Sequence, residues 1–418
     1  MRPLVLLTLA LAACGPMTDA EPLRLELPTI RSDFADEVAP VPRLTPARCR
    51  AGAAAMVRGR AFTDLQAALD ASAPGDAVIV CSGVHTGPFI IRNQGPLVLR
   101  GQTGAPADVV LQASGDQPVL AMGVYHASLR LQGLTLTGVT GDDGVFEGAF
   151  EEHLQIVDCD IRDNSGLYVW IGTMGDLLIE RSSIHDNTTT WATFELRIDG
   201  QQSHAIVRDT TIARNTSDWL SGISMSIDPD YDPPVTNHVV FDRVEIVDNE
   251  NTVFPFRDYE DPTVPWREGE IMAITGYEAT QVGFRDVHAR GNDSGAQTVG
   301  VSARGPDDEP ITFLCERCSF TDNTMWSTAT LYFYQNSGPA IHHATIRDSE
   351  ILRNEVFESL TTTDVPAAFD FDFSWIVDVQ NVDLGLGADT NLPRDTHCGF
   401  TDYGPGSSGT VSRGDSCL

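Results

Sequence analysis

VDCDIRDN (157–164), IERSSIHDN (179–187), VRDTTIARN (207–215), FDRVEIVDN (241–249), FRDVHARGN (284–292), ERCSFTDN (316–323) and IRDSEILRN (346–354) share one plan. Each closes on Asn, with Ile, Ala or Phe three places earlier and a small or β-branched residue five places earlier. The closing residues, Asn164, Asn187, Asn215, Asn249, Asn292, Asn323 and Asn354, stand 23, 28, 34, 43, 31 and 31 residues apart. A constant segment with loops of changing length signals a stacked solenoid, because each repeat touches only its neighbours and insertions leave the stack intact.

Further apolar columns stand eight places before the Asn (Ile156, Ile179, Val207, Phe241, Phe284, Cys315, Ile346) and ten places before it (Leu154 through Ala344). Alternation by two marks strands with one buried face. The step of three between places five and eight marks a bend, so each segment is two short strands around a corner. A third strand follows each Asn: LYVWI, FELRI, ISMSI, IMAIT, VGVSA, TLYFY and FDFDF. Earlier pairs such as PFIIR with LVLRG extend the pattern, giving about ten coils between residues 85 and 385.

Three strands per coil with inward apolar columns and a corner Asn resemble right-handed parallel β-helix repeat proteins of the pectin-lyase-like type. The resemblance implies an all-β right-handed parallel β-helix. The Asn is expected at a corner that needs a left-handed backbone, which Asn tolerates, and stacked Asn side chains could hydrogen-bond along the axis. Upstream, Thr63 and Gln66 match a capping box before an apolar helical face of Leu65, Ala68 and Leu69. That helix should stop before Pro74-Gly75 and lead into a strand from Ala77 to Val80. This is similar to the short N-terminal capping helix of such solenoids, which shields apolar side chains and strand edges of the end coil.

The 418 residues divide into 1–14, 15–48, 49–390 and 391–418. MRPLVLLTLALAAC (1–14), with Leu11-Ala12-Ala13-Cys14 before Gly15, resembles a bacterial lipoprotein signal and implies lipidation at Cys14; an ordinary secretory signal is the alternative. Its apolar run is too short to span a bilayer. Either reading exports the chain, and the first places it in the bacterial cell envelope, lipid-anchored at the outer membrane or cell surface. Residues 15–48 read as a Pro- and acid-rich tether, 49–390 as the capped solenoid, and 391–418 as a tail. Cysteine usage fits export. Cys49 and Cys81 flank the cap and are expected to pair, as are Cys398 and Cys417 in the tail. Cys315 and Cys318 face each other within one coil, as a disulfide or half of a metal site. Cys159 shares the column of Cys318 but lies five coils away, about 24 Å at ~4.8 Å per coil, and is expected to be a free buried thiol.

The net charge of −32 repels nucleic acid, and all 27 basic residues are Arg. Functional positions are expected on the outward side of the third strand: Tyr168, Trp170, Glu195, Arg197, Arg304, Tyr332, Tyr334, Asp370 and Asp372. Aromatics beside carboxylates and guanidinium groups suit sugars, which stack on rings and bond paired charges; the plainer reading is aromatics pairing across strands. Asp228, Asp230 and Asp232 form an acidic loop that is a candidate Ca²⁺ site, although the Gly and closing Glu of an EF-hand are missing. Polygalacturonases and pectate lyases resemble the fold, but their motifs do not carry over: Asn-Thr-Asp, Gly-His-Gly and Arg-Ile-Lys are absent, and Val169-Trp170-Ile171 only begins the Val-Trp-Ile-Asp-His stretch. Two functions remain. One is a non-catalytic surface lipoprotein that binds polysaccharide or a protein partner. The other is a divergent polysaccharide lyase or glycoside hydrolase. Fold does not decide between them.

Overall fold

The computed structural model describes residues 40–382 and 410–412, with breaks of which the longest are 228–236, 253–269, 304–310 and 357–366. Cys14, Asp228, Asp230, Asp232, Arg304, Asp372, Cys398 and Cys417 lie outside the described residues.

The chain winds as a right-handed parallel β-helix with three faces. The first sheet has fourteen strands and runs in parallel from Ala77–Val80 through Leu97–Gly101 and Leu129–Gln132 to Trp375–Gln380. The second has ten short strands, from Gly83–Thr86 to Glu350–Leu352. The third has thirteen strands and carries the segments after each Asn. Adjacent strands pair in register, so every repeat position becomes a column along the axis. The apolar columns predicted from the repeat form one continuous core, within which Phe241, Phe284, Phe313 and Phe333 meet edge to face at 5.0–5.2 Å.

The Asn column is buried and bonded in one direction. The side-chain amide of each Asn donates to the Oδ1 of the next, at 2.8–3.0 Å, from Asn164 through Asn187, Asn215, Asn249, Asn292 and Asn323 to Asn354. The backbone N–H of each donates to that same oxygen. The second amide proton goes to a carbonyl one coil back, such as Ile161 O for Asn187 and Ile212 O for Asn249. The left-handed expectation is corrected. Positive φ belongs to the residue before the Asn (Asp163, Asp186, Arg214, Asp248, Gly291, Asp322, Arg353) and to the one six places before it (Asp158, Arg181, Asp209, Arg243, Asp286, Arg317, Asp348). Each of the two corners carries one left-handed residue, and the Asn that follows the second uses its side chain as the bond to the next coil.

The left-handed positions six places before the Asn carry charge that alternates from coil to coil. Arg181 bonds Asp158, Arg243 bonds Asp209, and Arg317 bonds Asp286, each through two nitrogens to two oxygens. The neighbouring column runs Glu180, Arg208, Asp242, Arg285, Glu316, Arg347 in register. Each coil therefore presents an acid–Arg pair whose order reverses in the next coil. Arg suits this place because its planar fork meets a carboxylate at two points.

The cap differs from expectation by one residue. Asp64, not Thr63, is the N-cap of the helix Leu65–Asp70, accepting from the Ala67 N–H at 2.8 Å. Gln66 is thereby freed to pair with the main chain of Ile90, accepting at 2.8 Å and donating at 2.9 Å, and so closes a strand edge. A disulfide joins Cys49 to Cys81, and another joins Cys315 to Cys318 across one corner. Cys159 is a free, buried thiol. Residues 41–48, read as the end of a tether, are instead docked: Val41 is buried, and Arg181 and Gln132 donate to the carbonyls of Val41 and Pro42.

Candidate functional site

The third sheet sorts the expected site residues by register. Trp170 pairs with Glu195, Glu195 with Ser224, Ser224 with Ala273, Ala273 with Gly300, Gly300 with Tyr332, and Tyr332 with Asp370. These seven residues form one column. The next outward column is Gly172, Arg197, Ser226, Thr275, Ser302 and Tyr334. Tyr168 stands apart, because register shifts on either side of it take it out of the regular alternation opposite Ala192.

The columns between them fill the core. Ile223, Met272, Val299 and Leu331 are buried, as are Ile274, Val301 and Phe333. Ala273, Thr275 and Tyr332 are half-buried on the other face. For Tyr168, Trp170, Glu195, Arg197, Tyr334 and Asp370 the backbone alone is described. Along the column, small residues (Ser224, Ala273, Gly300) occupy the middle, and Trp170 and Tyr332 bracket them five coil steps apart. At ~4.8 Å per step this is about 24 Å, long enough for several sugar units.

Three side chains stand at the middle of these columns, where Gly300 and Ser302 are buried and Ala273 and Thr275 half-buried. The hydroxyl of Ser302 is 2.9 Å from that of Thr275, which holds the middle of the second column together. The carboxylate of Glu270 lies against Gly300: a Cβ built there would meet Glu270 Oε2 at 2.3 Å. Any side chain at Gly300 would displace that carboxylate. Glu270 was not among the expected site residues. The signal available for it was Gly300, since a glycine inside a strand marks a close approach.

A second ionisable cluster lies on the first sheet. Asp176, largely buried, accepts from the His204 backbone N–H at 3.1 Å and meets His204 Nδ1 at 3.0 Å, while His153 Nδ1 lies 3.5 Å from its other oxygen. His204 stacks on His238 with ring centroids 5.3 Å apart. Burial, and then the neighbouring His204, pushes the His238 pKa down. Among the described residues no group of three His, Cys, Asp or Glu is placed to hold a metal ion. Nor is any described helix long and apolar enough to cross a membrane.

No protein-family model matches the chain, and no curated protein matches it. Among solved structures it is similar to the catalytic domain of a GH87 α-1,3-glucanase in complex with tetrasaccharides. The identity is 11% and the TM-score 0.32, over 72% of this chain and 63% of that one. The chain thus spans less than two thirds of the glucanase domain's length.

Proposed function

We propose that the protein is an exported surface lipoprotein that binds polysaccharide along the third sheet of its β-helix without cleaving it. The observation that carries this reading is the register column in which Trp170, Glu195, Tyr332 and Asp370 fall in line around the small shelf of Ala273 and Gly300. A row of small residues between aromatic positions suits a chain of sugar rings laid lengthwise, with the flanking charged positions suited to its hydroxyls. Export is supported by the Cys49–Cys81 disulfide, a bond that persists in oxidising compartments. Lipid attachment rests on Leu11-Ala12-Ala13-Cys14 and should vanish in a Cys14→Ser variant labelled with fatty acid.

The test is retention of neutral and acidic polysaccharides on immobilised protein, with unsaturated and reducing ends monitored in the same samples. Trp170→Ala and Tyr332→Ala should each weaken retention about 2- to 13-fold, since a stacked ring contributes ~0.5–1.5 kcal/mol. Retention unaffected by either change would end the reading. Steady release of new chain ends would replace it with the divergent lyase or hydrolase.

A further inference from the structure

The chain's charge is divided unevenly along the solenoid. From Pro40 to Thr63 there are five Arg (Arg43, Arg48, Arg50, Arg58 and Arg60) and no acid, whereas residues 133–418 hold 48 acids against 16 Arg. The basic stretch folds onto the N-terminal end. The hairpin of Ala55–Val57 and Arg60–Phe62 forms that edge of the first sheet, with Arg60–Phe62 outermost. The disulfide holds Cys49 to Cys81, just past strand Ala77–Val80, so Arg48 and Arg50 flank that bond. Main-chain bonds from Cys81 to Ala54 and from Ala54 to Phe62 set the hairpin beside it. Strand Gly83–Thr86 begins two residues after Cys81 and is the N-terminal edge of the second sheet. It carries Val84, which is 63% exposed and is the only large apolar side chain so open among the described residues.

The acids of the cap leave these cations uncompensated. Asp76 pairs with Arg58, Asp70 pairs with Arg92, and Asp64 accepts the Ala67 N–H as the helix N-cap. Arg48, Arg50 and Arg60 are exposed and have no carboxylate partner among the described residues. Arg60 lies instead over the Phe62 ring, 4.8 Å from its centroid. Nor do the acidic coils cancel the patch. Their first strand in this sheet, His153–Val157, is five steps from the outer edge, about 24 Å at ~4.8 Å per step. That is about three Debye lengths at physiological salt.

We propose that this capped end is a docking surface for a bilayer rich in anionic lipid. Exposed Arg side chains beside an apolar tip match phosphate headgroups that overlie an acyl layer. The choice of a bilayer among polyanions rests on the proposed lipid attachment at Cys14, which stands 26 residues before Pro40. An anionic surface attracts the cap and repels the acidic coils, so the solenoid stands on its N-terminal end. The third sheet then runs away from the membrane, with its outward row open to polysaccharide along its length.

Co-sedimentation of the full chain carrying Cys14→Ser, and so free of lipid, tests this with two kinds of vesicle. Vesicles of mixed phosphatidylglycerol and phosphatidylcholine should bind it at least ~10-fold more tightly than phosphatidylcholine alone, and the preference should fall with salt. Arg48→Gln, Arg50→Gln and Arg60→Gln should each weaken binding to the anionic vesicles about 5-fold, and about 100-fold together. All three are exposed, so urea unfolding should not change. Arg290→Gln, exposed on a middle coil, should leave vesicle binding as it was. Equal binding to both vesicles, or a loss at Arg290 that matches those at the cap, overturns the proposal. So does a sedimenting mass that halves without vesicles when the three Arg are replaced, because the patch would then hold the acidic flank of a second copy. Fatty-acid labelling of Cys14 is read separately. Labelling without vesicle preference keeps the anchor and overturns the docking surface, and vesicle preference without labelling does the reverse.

Discussion

Each coil turns two polar corners, and they are built on opposite rules. At one, the same residue recurs in every coil and is buried: the Asn column from Asn164 to Asn354. At the other, the residue changes sign in every coil: Asp158, Arg181, Asp209, Arg243, Asp286, Arg317, Asp348. An amide donates and accepts, so it stacks on copies of itself. A charge cannot, so a stacked column of charges must alternate. Burial follows from the same difference. The neutral amides satisfy one another away from water, whereas Arg243 and Arg317 keep nearly half of their side chains in solvent.

Breaking the Asn column should have the largest effect. Asn249→Ala leaves the Asn215 N–H and amide without their acceptor and removes the donor to Ile212 O. A buried polar group left unpaired costs roughly 1–3 kcal/mol, so a loss of about 3–5 kcal/mol is expected in urea unfolding, independent of salt. A loss below 1 kcal/mol would mean that water replaces the ladder.

At the charged corner, Arg243→Glu sets a third acid between Asp209 and Asp242. Arg243 and Asp209 are partly open to solvent while Asp242 is buried, so the expected loss is about 1–3 kcal/mol at low salt, and the part due to Asp209 should shrink in molar salt. Equal losses at both ionic strengths would show that packing, not charge, sets the alternation.

Acid should act at both corners, because Asp186 and Asp322 stand just before the Asn column while Asp209 and Asp286 stand in the alternating one. A hydrogen bond from Arg214 leads the causes that hold Asp186 down to about 2, and Arg243, Arg317 and Arg353 lower Asp209, Asp286 and Asp322 in the same way. An unfolded Asp titrates near ~3.9. A carboxylate with a depressed folded pKa stabilises the fold above its unfolded value, and that contribution is lost as pH falls from ~4 to ~2. Arg214→Gln should flatten part of this limb. His342 acts at higher pH. Burial, and then His343, pushes it down to about 4, and its Nδ1 accepts the Ile311 N–H. A neutral buried His stabilises the fold above its unfolded pKa of ~6.5, and that contribution fades as pH falls from ~6.5 to ~4. His342→Gln should remove the upper limb and leave the lower one. The Asn column does not titrate and should contribute to neither.

The comparison also explains what could be read from the chain. A column of identical Asn appears as soon as the segments are aligned. The alternating column is equally regular, as ER, RD, DR, RD, ER and RD in successive segments from Glu180-Arg181 to Arg347-Asp348. Its period is two coils, so a search for identity passes over it. Asn tolerates a left-handed backbone and so invites that reading of the column, yet Asp and Arg take the conformation here, paired with the neighbouring coil. The outward row of the third sheet followed from alternation alone, but the shift at Tyr168 depends on local bulging that no periodicity encodes. Glu270 escaped because it precedes its strand's regular phase. Val41 escaped because its partners lie some 140 residues away.

The smallest effect is expected between the two corners, in the column five places before the Asn. Ser182, Thr210 and Ser349 each donate to the carbonyl two residues back, and Ser182 and Ser349 accept the N–H of Cys159 and Cys318 in the preceding coil. Cys159 makes the same contact through sulfur, to Val157 O at 3.2 Å. Burial pushes its thiol up to about 12, so a thiol reagent at pH 8 should label it only when the chain unfolds. Cys159→Ser puts into this column the hydroxyl that its neighbours already use, and should change stability by less than ~1 kcal/mol. Cys159→Val, of similar size but without a donor, should cost more, because the Val157 carbonyl would lose its buried contact. If Val were the better tolerated of the two, the column would be apolar packing, and the hydroxyls of Ser182 and Ser349 would be passengers in it.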